Sequence, residues 1–114
     1  MPDEFDTGLA REDLDPHRPE PIETPWGSIA LFTVGREIFA VQSFCPHLQG
    51  PLFQGTVTGE DVVCPWHFWR FSLRSGRRLG VLASIMNEDC SLLICDVRVG
   101  LRGTIVLSNP HHQV

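Results

Sequence analysis

The sequence predicts an all-β fold: a small antiparallel β-sandwich or barrel with a two-loop subdomain at one end. Three observations carry that expectation. Many short strand-like runs recur at short spacing. No segment shows a convincing amphipathic-helix pattern. The chain has 114 residues, 42% of them hydrophobic, which suits one domain (1–114) around one packed core.

Taken in order, residues 1–25 hold eight of the fourteen acids and five of the nine prolines. They read as an acidic arm with one short strand near Phe5. A turn at Trp26-Gly27 follows. GSIALFTV (27–34) and EIFAVQS (37–43) read as strands joined at Gly35-Arg36. Alternation puts Phe39, Val41 and Ser43 on one face, and Ile38, Ala40 and Gln42 on the other. A loop, FCPHLQGPL, leads to TVTGEDVV, a hairpin turning at Gly59-Glu60. A second loop, CPWHFW, leads to RFSLRSGRRLG, a strand and then a turn at Ser75-Gly76. The stretch 80–89 shows no clear element. CSLLICDVRV (90–99) and GTIVLS (103–108) predict a closing hairpin around Gly100 and Gly103. The core is expected to span about 5–108, with 1–4 and 109–114 flexible.

Composition excludes several function classes. Nine arginines and no lysines face fourteen acids, for a formal net charge of −5. Generic nucleic-acid binding needs a basic footprint instead. No run of about eighteen apolar residues predicts a membrane helix. The N-terminus, MPDEFDTGLARED, lacks the apolar core of a signal peptide. No membrane partner and a cytoplasmic location are expected. In that compartment four cysteines (Cys45, Cys64, Cys90 and Cys95) suggest metal or catalysis rather than disulfides.

Two of them sit in a repeated device. The spacing is Cys45-x-His47, sixteen intervening residues, then Cys64-x2-His67. The hairpin between them can return both loops to one end of a sheet, each delivering one thiolate and one imidazole. Pro46 and Pro65 bias the preceding cysteines toward extended backbone and stiffen the loops. Gly50 allows a tight turn beside whatever is bound. Mixed sulfur and imidazole ligands suit zinc or an iron–sulfur centre. Zinc sites usually pair like with like, whereas here each loop carries one of each. A two-iron cluster explains that alternation. A structural zinc clasp, a chance pairing and an emptied site are the alternatives.

CPHLQG together with CPWHFW resembles the ligand signature of the Rieske [2Fe-2S] proteins, in which two His replace two Cys on one iron. The resemblance implies one [2Fe-2S] cluster, with Cys45 and Cys64 on one iron and His47 and His67 on the other. An acidic first strand, a GREIFAV-type strand before loop one and a DVRV-type strand near the end are also similar to small Rieske ferredoxins. The likeness runs over roughly 5–108, though only the two loops are specific. Rieske subunits of cytochrome bc-type complexes carry two further loop cysteines in a disulfide; Gly50 and Trp66 occupy those places here. The match is therefore to the soluble ferredoxin branch, whose relatives include the small subunit of assimilatory nitrite reductase. It departs from the family at Phe68, where a small or polar residue is usual. It also departs beyond residue 79, where a covering proline is missing.

The resemblance implies an electron carrier, not an enzyme on its own. It would take single electrons from a flavin-dependent reductase and deliver them to a terminal oxygenase, docking transiently at the His47/His67 end. Leu48, Pro51, Trp66 and Phe68 are expected to surround that end with apolar surface. A fixed accessory subunit of a larger reductase is the second reading. Arg70, Arg74, Arg77 and Arg78 form the one basic concentration, read as a solvated turn, with docking of an acidic partner as the alternative. Trp66, Phe68 and Trp69 divide between packing and cover. Cys90 and Cys95 read as small buried residues on opposite faces of one strand. His17, His111 and His112 have no expected role.

High-potential Rieske proteins share Ser and Tyr donors near the second loop. Here the chain has no Tyr, and Phe68, Trp69 and Arg70 follow His67. With fewer hydroxyl donors and an acidic surface, the midpoint potential should fall toward the low end of the Rieske range, about −150 to +300 mV. Redox titration checks this; a clearly positive midpoint contradicts it.

Overall fold

The computed structural model describes residues 3–46, 49–66, 68–80 and 91–112. Among them helix is confined to two single 3₁₀ turns, Arg11–Asp13 and Leu52–Gln54. No helix among the described residues is long and apolar enough to cross a membrane. The strands all pair antiparallel, as the sequence predicts. Strands β2 (Glu20–Thr24), β3 (Gly27–Val34), β4 (Glu37–Gln42) and β9 (Ile94–Cys95) form one sheet in that order. A smaller one runs β5 (Thr56–Thr58), β6 (Asp61–Val63), β7 (Arg70–Ser72), β8 (Arg78–Leu79). The third is β1 (Glu4–Ala10), β11 (Thr104–Ser108), β10 (Val97–Val99).

The β3–β4 hairpin is the wall between two cores. Its register runs from Ile29↔Gln42 to Val34↔Glu37, closed by Gly35 at φ 60°. One face supplies Ala30, Phe32, Phe39 and Val41 to a cluster shared with Leu52, Val62, Phe71, Leu73 and Leu92. The other supplies Ile29, Leu31 and Ala40 to a cluster with Cys95, Ile105 and Leu107. Ile38 packs against that second cluster too, so the predicted faces of 37–43 hold. A strand buried on both sides reads as a continuous apolar run, which is what ALF and IFAV are. Each fully buried Leu or Phe contributes about 1.5–3 kcal/mol.

Two expectations are corrected. The acidic arm holds two strands, not one. β2 is an edge strand, and an edge tolerates Pro21. β1 pairs with β11 across an irregularity between Asp6 and Ala10, where Gly8 takes φ 74° and donates its N–H to Asp6 Oδ1. That hydrogen bond holds the Asp6 carboxyl below its ordinary range. The run 90–99 is not one strand. It changes sheet at Asp96: Ile94–Cys95 pairs with β4, whereas Val97–Val99 pairs with β11. Asp96 is held at the switch by Ser108, whose Oγ accepts the Asp96 N–H at 2.9 Å. Beyond β11 the chain makes further backbone hydrogen bonds to the fold. His111 exchanges both backbone hydrogen bonds with Ile94 at 2.9 Å, and the Asn109 N–H donates to Asp3 O at 3.1 Å.

Cys95 is buried, as expected; Cys90 lies outside the described residues. Burial, then the neighbouring Asp96 charge, pushes the Cys95 thiol up from 9.0 to about 12. The folded chain keeps that thiol neutral where the unfolded chain ionises it. Its contribution to stability is therefore fully present below about pH 9 and is lost as pH rises toward 12. Iodoacetamide labelling of the native protein at pH 8 should leave Cys95 unmodified by peptide mass, and unfolding should expose it. Prompt native labelling would contradict the burial.

Candidate metal centre

Both loops are built on the same backbone frame. In loop one the Cys45 N–H donates to Gly50 O at 2.7 Å, and Cys45 O accepts the Gln49 N–H at 2.9 Å. In loop two the Cys64 N–H donates to Trp69 O at 2.8 Å, and Cys64 O accepts the Phe68 N–H at 2.9 Å. Each cysteine thus bonds forward to the fourth and fifth residues after it. The corner residues, Gln49 at φ 60° and Phe68 at φ 59°, are the two non-glycines with positive φ among the described residues. The unequal spacings Cys-x-His and Cys-x2-His hide this equality, because the histidines fall at different places inside equal frames. His47, His67 and Leu48 lie outside the described residues.

The stems are pinned from below. Ser43, wholly buried, donates its N–H to Ser28 O, accepts the Ser28 hydroxyl at 2.8 Å, and accepts the Leu52 N–H at 2.8 Å. That last bond holds the two ends of loop one together. Gln42 Nε2 donates to Phe44 O at 2.7 Å, while its Oε1 accepts the Leu93 N–H at 2.7 Å. Sequence reasoning missed both supports, since a polar residue at a strand end carries no distinguishing pattern. Loop two closes the β6–β7 hairpin directly above the pair Val63↔Arg70.

The cysteines converge on one core. Cys45 and Cys64 are both fully buried in the first hydrophobic cluster, and neither is in a disulfide. Gly50 of loop one lies against loop two: a Cβ there would sit 2.7 Å from Cys64 Sγ and 3.2 Å from Trp66 Cβ. Gly50 and Trp66, which the resemblance set at the two positions of the missing disulfide, are therefore neighbours. A centre held through sulfur fits this half of the site. Two thiols are screened from water, and glycine leaves room beside one of them.

Aromatic rings edge the loops. Trp66 is 62% and Phe68 78% exposed, as expected of a cover. Pro51 is buried and does not reach the surface; its bridge to Phe44 closes the stem. Phe44 takes that surface place, edge-on to Phe53 at 5.8 Å. Its signal was position alone, directly before Cys45. Trp69 packs on the core beside Phe71, under the Arg78 guanidinium at 3.4 Å from its ring. Arg74 bonds both Glu60 (2.8 Å) and Glu37 (2.7 Å), which holds the Glu60 carboxyl below its ordinary range. Arg70 faces Asp61 at 4.0 Å. Three of the four arginines of that segment thus have partners inside the chain, which favours the structural reading over a docking patch.

A family model for the Rieske [2Fe-2S] domain matches residues 8–84. The ferredoxin component of the p-cumate 2,3-dioxygenase system of Pseudomonas putida is 37% identical over 57 residues, 48% of each chain. The 4beta-methylsterol monooxygenase of Methylococcus capsulatus is 50% identical over 48 residues, 40% of this chain and 13% of that one. The chain thus spans about half or less of the length of these curated relatives. The solved ferredoxin of carbazole 1,9a-dioxygenase from Nocardioides aromaticivorans shares the fold. It has a TM-score of 0.76 at 22% identity, over 95% of this chain and 98% of that one.

Gly50→Ala should force Cys64 Sγ or the Trp66 ring to move, since the gap is closed by the buried sulfur and by the root of the Trp66 side chain. Overpacking of this kind costs about 1–3 kcal/mol. Thermal unfolding and iron per chain should both fall; unchanged values would mean that the loops do not meet at Gly50.

Proposed function

Because the chain belongs to the Rieske [2Fe-2S] domain family, we propose that it is a one-electron carrier holding a single [2Fe-2S] cluster on Cys45, His47, Cys64 and His67. The observation that carries this reading is the equal pair of loop frames. Each opens on a buried cysteine and each encloses one histidine in sequence. A cluster bound there supplies reversible uptake of one electron. The chain's own residues do the rest. Cys45 and Cys64 offer sulfur from a position closed to solvent. Pro46 and Pro65 fix the backbone directly after each sulfur ligand. Ser43, Gln42 and the two frames hold the loops in one geometry, so that little has to rearrange when charge arrives or leaves.

The chain acts as one domain, 1–114, in the cytoplasm, and catalyses no reaction alone. Electrons come from a flavin-dependent reductase and go to a terminal oxygenase. The likeness to a dioxygenase-system ferredoxin component supports that placement. Partners meet it at the loop end, where the exposed rings lie.

Low-temperature EPR of the anaerobically purified, dithionite-reduced protein tests this. A rhombic signal with average g below the free-electron value is expected, and Cys64→Ser should abolish it. A silent, colourless sample with one zinc per chain would make the loops a structural clasp. A silent sample without metal would leave an emptied domain. A partner that stays bound through gel filtration would replace the shuttle with a fixed subunit.

A further inference from the structure

Phe68 sits where a bulky side chain is disfavoured. Its φ is 59°, in the left-handed region that suits glycine, yet its ring is 78% exposed. Bulky residues seldom hold that conformation unless something else requires them. The frame does not require an aromatic there: the equivalent corner of loop one is Gln49, φ 60°, polar and exposed. Packing does not require it either, since Phe68 belongs to neither buried cluster. Two other rings of the loops are also partly bare, Trp66 at 62% and Phe44 at 40%.

Neither loop carries a formal charge of its own. No Asp, Glu, Lys or Arg occurs between Glu37 and Glu60, nor between Asp61 and Arg70. Both loops therefore lie in neutral stretches of a chain whose net charge is −5. Electrostatic steering needs complementary charge at the contact, and these loops offer none. Aromatic residues without charge are what the buried centre of an interface contains.

From this we infer that Phe68, with Trp66 and Phe44, determines docking specificity by seating the loops on an uncharged, apolar face of a redox partner protein, and that the strained corner is kept to display its ring. The inference rests on the electron-carrier reading above.

Voltammetry of the holoprotein on gold coated with methyl-terminated or amine-terminated alkanethiols supplies an apolar and a cationic probe. A one-electron wave should appear on the methyl surface, with a rate that does not change between low and high salt. Phe68→Gly and Phe68→Asn should each slow that exchange about fivefold or more, the loss expected on removing a central aromatic anchor. Phe68→Tyr should retain it. Phe68→Gly should at the same time raise the thermal midpoint by several degrees, which a purely structural role for the ring would not allow. Faster exchange on the amine surface, indifferent to Phe68, overturns the inference and leaves the carrier reading standing. Absence of a wave on both surfaces removes the carrier reading itself. Dimerisation in sedimentation that depends on Phe68 overturns the inference as well, because a second copy would then be the occupant. A lower midpoint for Phe68→Gly removes the argument from strain.

Discussion

Each cysteine of the site gives one backbone hydrogen bond and takes another inside its own loop, and everything around the loops serves to bring those two closures together. The connection between them does this directly. Loop one returns to Ser43 through Leu52, passes the Leu52–Gln54 turn, and becomes β5. β5 pairs with β6, and β6 runs straight into loop two. The segment separating the loops in sequence is thus the hairpin that fixes one against the other. Gly55 makes this possible, because a Cβ there would collide with Val63 O at 2.2 Å.

The hairpin in turn needs something to lean on. Val62 and Phe71 are buried with Phe32, Phe39 and Val41, so the small sheet stands on one face of the β3–β4 wall. The opposite face of that wall is covered by Ile105, Leu107 and Cys95. Arg74 reinforces the contact from outside by bonding Glu37 at the start of β4 and Glu60 in the β5–β6 turn, while lying over the Phe39 ring. All three groups are largely exposed, so this bridge orients more than it stabilises. Its other consequence is electrostatic. Arg70 and Arg74 lie against their own acids, and neither loop carries a formal charge of its own.

Much of this was legible in the sequence wherever a local rule acts. The two faces of 37–43, the hairpins at Gly35, Gly59 and Gly76, and the paired Cys-Pro loops follow from alternation and turn chemistry. What was not legible depends on neighbours. Pro21 argues against a strand until β2 is known to be at an edge. Ile94 through Val99 alternates acceptably as one strand, and only the competing partners β4 and β11 divide it at Asp96. Pro51, expected at the surface, is buried where it bridges to Phe44, and Phe44, which carried no expectation, is exposed. At the site, the residue types and spacing pointed to two thiolates and two imidazoles. The cysteine half was brought together by the fold, and the supports at Gln42 and Ser43 had no signature to read.

Equal frames with unequal histidine spacing have a further consequence. His47 stands two residues after its cysteine and His67 three, so in sequence His67 directly precedes the left-handed corner while His47 is separated from its corner by Leu48. The corner of loop two is therefore the place where a change of side chain acts closest to a candidate ligand. The residue there is Phe68, the most exposed aromatic among the described residues. A glycine would relax the corner and bare the loop; a phenylalanine strains it and covers the approach with an uncharged ring. The chain's own geometry thus couples two properties that are separate in loop one, the backbone that closes the frame and the surface a partner would meet.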